Sequence, residues 1–181
     1  MREKVIFDML TEMKVCPEVW EAVLAALTAG TRIAGDVQCD RGNEKNDPNV
    51  GHHAIVTGAD LVSQELILDH LAITKEYPRF ITEEKEKATD RHKPLIFRDS
   101  DLSILPDFDL IYSVDSLDGT SQYANGLYEW SVSVGVIRRG AHVGGAIFAP
   151  AIRDGVLLTG QRGKGALYFE GEQETLACRD Q

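Results

Sequence analysis

The chain reads as an α+β fold in which N-terminal helices pack on a mostly antiparallel sheet of about six strands. In its first third the apolar residues recur at helical spacing, and from Ser131 onward they alternate with a period of two. Helices gathered ahead of strands, instead of alternating with them, are the pattern of an α+β architecture. At 181 residues, 43% of them apolar, the chain is long enough to bury one core, and a single domain is expected.

Val5 to Met13 suits a short helix, and Pro17 to about Ala34 a longer one. In the second, Trp20, Val23, Leu24, Leu27 and Ile33 fall on one face, while Pro17 and Glu18 suit a first turn; Trp20 is read as packing. Cys39 to His53 is polar and reads as a loop or hairpin, with His52 and His53 as surface residues. Ile55-Val56-Thr57 is strand-like. Asp60 then opens a helix carrying Leu61, Val62, Leu66, Ile67, Leu68, Leu71 and Ile73, and Tyr77-Pro78 stops it. Taken alone, Thr57 and Asp60 are capping residues for the free N–H groups of that helix.

Phe80-Ile81-Thr82 is a brief strand ending in Glu83-Glu84, followed by a charged loop to Lys93 and a possible short strand at Pro94 to Phe97. Asp99 to Asp109 is an acidic loop. Ser131 to Arg138 alternates as a strand, Arg139-Gly140 turns it, and His142 to Ala149 returns. Gly155 to Thr159 and Ala166 to Phe169 are two more strands, with the glycines of Gly163-Lys164-Gly165 serving the turn between them. Residues 172–181 form a polar tail and residues 1–16 an extension ahead of the core.

The net charge of -10 argues against nucleic acid as a partner, because such binding rests on clustered Lys and Arg. Cys16, Cys39 and Cys178 are widely spaced and form no metal-binding pair, so reduced thiols and a cytoplasmic location are expected. Charges break every apolar run near the N-terminus, so neither a signal peptide nor contact with a membrane is expected.

The densest chemistry lies in Ile111-Tyr-Ser-Val-Asp-Ser-Leu-Asp-Gly-Thr120, an apolar strand running into an acidic turn. Asp115 and Asp118 can converge only if the backbone bends between them, and Gly119 offers freedom for a bend. Converging carboxylates repel unless a cation lies between them, and oxygen donors of this kind suit magnesium. The same residues also suit a hairpin turn at Asp118-Gly119 with Asp115 solvated at a strand end.

Three separated segments, Val56-Thr-Gly-Ala-Asp60, Thr82-Glu-Glu84 and Val114-Asp-Ser-Leu-Asp-Gly-Thr120, together resemble the inositol monophosphatase family of magnesium-dependent, lithium-sensitive sugar-phosphate phosphatases. Tyr123-Ala-Asn-Gly126, Ser131 to Gly135 and Gly163 to Ala166 are also similar, so the likeness spans about Pro17 to Gly171. It implies the first half of an α-β-α-β-α layered sugar-phosphatase fold. It further implies that Glu83, Asp115 and the Leu117 carbonyl hold one Mg²⁺ and that Asp115 and Asp118 hold a second. Asp60 and Thr120 would prepare the attacking water, with Glu83 counted beside them in catalysis. Phosphate would be met by the Gly119 and Thr120 N–H groups and, through metal, by Asp118. The implied substrate is a small phosphate monoester such as an inositol or sugar phosphate, with a 3′(2′),5′-bisphosphate nucleotide as the alternative.

Three departures accompany the likeness. Ser116 stands where the family usually has proline, and the nearest upstream lysine, Lys45, lies behind a polar loop. The sequence ends at Gln181, where the family continues into a second half with a further metal-ligating aspartate; neither Trp20 nor Trp130 precedes one. The chain is thus expected to be an N-terminal half or a shortened member. A catalytically incomplete module that forms a homodimer through an uncovered sheet face is the competing expectation.

Overall fold

The computed structural model describes residues 3–35, 43–45, 54–73, 78–97, 108–171 and 173–178, and the calls of the sequence on His52, His53, Cys39, Tyr77 and most of the 99–109 loop lie outside them. Helices α1 (Glu3–Glu12) and α2 (Pro17–Gly35) come first. Strands β1 (Asn43–Lys45) and β2 (Ala54–Val56) then pair as a small antiparallel ladder; the side chain of Lys45 lies outside the described set. Helix α3 (Gly58–Ala72) leads to β3 (Arg79–Thr82), β4 (Leu110–Asp118) and the short α4 (Thr120–Ala124). Strands β5 (Ser131–Arg138), β6 (Ala141–Ala149), β7 (Val156–Gln161), β8 (Gly165–Glu170) and β9 (Gln173–Cys178) complete the chain.

The main sheet has seven strands in sequential order, β3 to β9. Only β3 and β4 are parallel; every later pair is antiparallel. The seventh strand is β9, in the stretch read from sequence only as polar. It lies at the edge of the sheet and pairs with β8 alone. The strand expected at Pro94 to Phe97 is instead a 3₁₀ turn, Lys93–Leu95, followed by a single bridge from Ile96 to Phe80. Pro94 has no N–H to give a ladder, which limits pairing here to that bridge and the Phe97 N–H bond to the Phe80 carbonyl, 2.8 Å.

Helix α2 lies against β5 and β6 and against α3, and α3 covers β4. The face α2 turns inward is made of small residues, Ala22, Ala25, Ala26, Ala29 and Gly30, with Val19, Val23 and Ile33; Leu24 is left partly exposed. Small side chains let the helix approach the sheet closely. A β-carbon on Gly30 would stand 2.6 Å from Phe148 Cδ1, well inside van der Waals contact. Helix α1 joins this layer through an edge-to-face contact of Phe7 with Trp20, ring centroids 4.8 Å apart. On α3, Ile67, Leu68 and Leu71 are buried, but Val62 and, just past the helix end, Ile73 are exposed. Apolar residues surround this helix, so its buried side could not be read from periodicity alone.

Gly30→Ala tests the close approach. Alanine gains about 1 kcal/mol in helix propensity, whereas forcing a methyl into a packed contact costs about 1–3 kcal/mol. We expect a net loss, seen as a melting temperature lower by a few degrees. Gly35→Ala, at a site with nothing within 4 Å, should melt at or above the parent.

Candidate active site

The parallel pairing of β3 with β4 places Thr82 opposite Val114, so Glu83, the first residue past the end of β3, comes beside Asp115, which is still within β4 and paired with Ser133 of β5. Helix α3 runs away from this end and β3 returns to it, which brings Asp60, near the helix start, to the same place. Loop and turn geometry then adds Asp118. Register between β4 and β5 pairs Asp115 with Ser133 and Asp118 with Ser131, three steps on one strand against two on the other. One extra residue is therefore bulged into β4, and it restores to Asp118 the side of the ladder that Asp115 occupies. The bend expected at Gly119 thus begins earlier, at Ser116 and Leu117. Gly119, at φ 85°, instead turns the chain from β4 into α4, where a β-carbon would meet the Glu129 carbonyl at 2.7 Å. The hairpin alternative fails because the strand runs into a helix.

Asp60 is buried and accepts three hydrogen bonds. Its Oδ2 accepts the Thr57 N–H at 2.7 Å and the Thr57 hydroxyl at 2.6 Å, and the Asp60 N–H donates back to the Thr57 hydroxyl oxygen at 3.4 Å, which closes a capping box. Its Oδ1 accepts the Thr120 hydroxyl at 2.9 Å. Thr120 Oγ also lies 3.0 Å from the Leu117 carbonyl, so its single proton has two acceptors and its lone pairs remain to receive another donor. Tyr123 anchors α4 beneath, donating to the Ile33 carbonyl at 3.0 Å and packing edge-on against Trp130. The helix cap and the Thr120 hydroxyl therefore share the same carboxylate.

Asp115 is half-buried, and its carboxyl is pushed up to about 6 by desolvation first, then by the charges of Glu83, Asp118 and, more weakly, Asp60; the Leu117 N–H, 3.3 Å away, pulls in the opposite direction. Glu83, Asp115, Asp118 and Asp60 thus stand within electrostatic reach of one another. Among the described residues no three His, Cys, Asp or Glu side chains form a closed metal-binding group. The donors nonetheless fit a hard divalent cation: they are oxygen throughout, jointly negative, and Asp115 bears the mark of uncompensated like charge. Asp118 and Glu83 are exposed, which leaves the acidic site open to solvent.

The loop after Glu83 is moored to α3. Glu65 accepts the Thr89 N–H at 3.0 Å and its hydroxyl at 2.8 Å; the ring nitrogens of buried His92 lie 3.0 Å from Glu65 and 3.1 Å from Asp69. Burial pushes the Glu65 carboxyl up, but the Thr89 donors and His92 outweigh it and hold it below its usual range. His92 was missed in the sequence because it sits in a charged run that reads as solvated. Ser63 and Gln64, both buried, were missed as well; the available signal was two polar residues one turn after Asp60 on an otherwise apolar face.

These features define a layered α+β protein with an acidic, oxygen-rich site at the shared end of a parallel strand pair. The chain belongs to the inositol monophosphatase family, whose family model matches residues 18–181. It is 29% identical over 147 residues to the Nus factor SuhB of Pasteurella multocida, covering 80% of this chain and 47% of that protein. Among solved structures, the extragenic suppressor protein SuhB of Bartonella henselae matches with a TM-score of 0.62 at 24% identity, over 84% of this chain and 51% of its own. The inositol monophosphatase of Anabaena matches with a TM-score of 0.58 at 24% identity, over 83% and 46%. The chain spans about half the length of these relatives. At such identities the structural matches speak for the fold.

The Asp115 carboxyl makes a stability prediction. Its folded pKa lies above the unfolded value of about 3.9, so the folded state holds the extra proton between roughly pH 4 and 6. Stability should fall as pH rises through that window, by about 1–2 kcal/mol after allowing for solvent screening. Melting curves in EDTA should show this slope in the parent and not in Asp115→Asn, which should melt higher at pH 7.5. An equal slope in both proteins would contradict the electrostatic account of Asp115.

Proposed function

We propose that this chain carries the water-activating and principal metal-binding part of a magnesium-dependent phosphomonoesterase acting on a small inositol or sugar phosphate. The observation that carries the reading is the Asp60–Thr120 pair set beside mutually repelling Glu83, Asp115 and Asp118. Glu83, Asp115 and the Leu117 carbonyl would hold one Mg²⁺, and Asp115 with Asp118 a second. Bound there, such ions would offset the charge of the ester phosphate and acidify water. The chain's own residues supply the proton path. Thr120 gives its hydroxyl proton to Asp60 Oδ1 and accepts one from a water, so the proton leaving the nucleophile ends on the carboxylate. The N–H groups of Gly119 and Thr120 would orient phosphate oxygens at the start of α4. A cytoplasmic setting is part of the proposal, in keeping with the free thiol of Cys16; among the described residues no helix is long and apolar enough to cross a membrane.

Phosphate release from inositol monophosphate should require Mg²⁺ and stop in EDTA. Thr120→Ala and Asp60→Asn should each lower kcat by about 100-fold or more, and Asp115→Asn should abolish the Mg²⁺ dependence together with the activity. Running a 3′(2′),5′-bisphosphate nucleotide in parallel separates the alternative substrate class. Hydrolysis unaffected by Asp115→Asn would remove the proposal.

A second reading concerns the sheet face opposite α2. Ile147 and Leu158 pair across β6 and β7 and are 44% and 39% exposed, beside a groove of about 740 Å³ floored by Ser133, Gly135, Gly145 and Gly160. An apolar cross-strand pair of this kind suits burial against a second copy of the chain, giving a homodimer. Light scattering should then find a dimer that Ile147→Lys dissociates; a monomer at high concentration counts against this reading.

A further inference from the structure

Beyond Asp60, helix α3 buries two further polar side chains, Ser63 and Gln64, on the face that, further along, carries Ile67, Leu68 and Leu71. Ser63 and Gln64 are both wholly inaccessible to solvent. A hydroxyl and an amide enclosed among apolar groups destabilise a fold unless they are paired, and apolar residues would fill such positions without that requirement. Both are paired, and with neighbouring segments instead of their own helix. Ser63 Oγ donates to the Ser116 carbonyl at 2.6 Å. Gln64 Nε2 donates to the Glu84 carbonyl at 3.2 Å, while its Oε1 accepts the Thr82 hydroxyl.

The places where these bonds land are specific. Ser116 lies within the β4 bulge, between Asp115 and Leu117, where the ladder to β5 is irregular. Peptides in a bulge lose the regular pairing that fixes their tilt, so a side-chain donor to Ser116 sets the direction in which Leu117 and Asp115 project. Thr82 and Glu84 flank Glu83 on either side. One turn earlier on the same helical face, Asp60 holds Thr120. A single rigid helix, which itself carries Asp60, thus grips the other two segments of the acidic site: Asp60 and Ser63 hold the stretch from Ser116 to Thr120, and Gln64 holds Thr82 and Glu84.

We propose that Ser63 and Gln64 are positioning residues for the divalent-cation site, Ser63 aiming the Asp115 carboxylate and Leu117 carbonyl, and Gln64 holding Glu83 in line with them. Neither touches cation or substrate; each acts through the backbone of the donor segment. The inference rests on the reading of Glu83, Asp115 and Asp118 as metal ligands.

The test is Mn²⁺ affinity of the full chain, measured by titration calorimetry and by the spin-resonance signal of free Mn²⁺, with melting temperatures recorded in EDTA. Ser63→Ala and Gln64→Met should each weaken Mn²⁺ binding about tenfold or more. Ser63→Cys, which keeps a weak donor in a similar volume, should fall between Ser63→Ala and the parent, and it carries the test should Ser63→Ala not fold. Variants that melt lower yet bind Mn²⁺ as the parent does would overturn the inference, since that is the behaviour of residues serving only the core. Asp115→Asn separates the two levels: if it loses Mn²⁺ while the Ser63 and Gln64 variants do not, the positioning role alone fails. If Asp115→Asn binds like the parent, or the parent binds no Mn²⁺, the ligand assignment fails and this inference with it.

Discussion

Carboxylates from three separated stretches of chain meet at one end of the sheet, and the fold has to hold them there against their mutual repulsion. Asp115 records that repulsion, since its proton is held more tightly both by burial and by Glu83, Asp118 and Asp60. Arrangements of this kind oppose folding and persist only where the surrounding structure leaves the side chains no other place to go. Here the restraint is topological. Parallel pairing of β3 with β4 sets Glu83 beside Asp115, and the bulge turns Asp118 to the same side.

The stabilisation that offsets this cost lies on the other side of the same elements. Tyr112, Val114, Val132 and Val134 point from β4 and β5 into the core that α2 and α3 cover. Alternation along each strand therefore divides the labour: one set of side chains binds the layers together, and the set between them, including Asp115 and Ser133, faces away. The small-residue face of α2 brings the helical layer close enough for this core to close, with Gly30 against Phe148.

Helix α3 links the two roles. Its later turns bury Ile67, Leu68 and Leu71 as a core helix does, while its first turns spend the same inward face on Asp60, Ser63 and Gln64. Capping reinforces this, because the carboxylate that closes the helix start through Thr57 also receives the Thr120 hydroxyl. Rigid secondary structure, rather than loop packing, thus sets the geometry of the Asp60–Thr120 pair. The loop beyond Glu83 is moored to the same helix by Thr89 and His92 through Glu65 and Asp69.

Much of this was legible in the residues alone. The α+β order, the helices from Pro17 and Asp60 and the strands from Ser131 onward follow from periodicity, and the family from the resemblance of three short motifs, Val56 to Asp60, Thr82 to Glu84 and Val114 to Thr120. The identity of the acidic residues is likewise written in Asp60, Glu83, Asp115 and Asp118. Their convergence is not, because it depends on the parallel register of β3 and β4 and on one extra residue at Ser116 and Leu117, neither of which leaves a periodic trace. Burial of Ser63 and Gln64, exposure of Val62 and Ile73, and the strand at Gln173–Cys178 were decided only in three dimensions. In each case the deciding partner is remote in sequence: a carbonyl on another strand, a neighbouring helix, or a sheet edge. Local composition specifies what a segment can form, and long-range pairing selects which of its faces is enclosed.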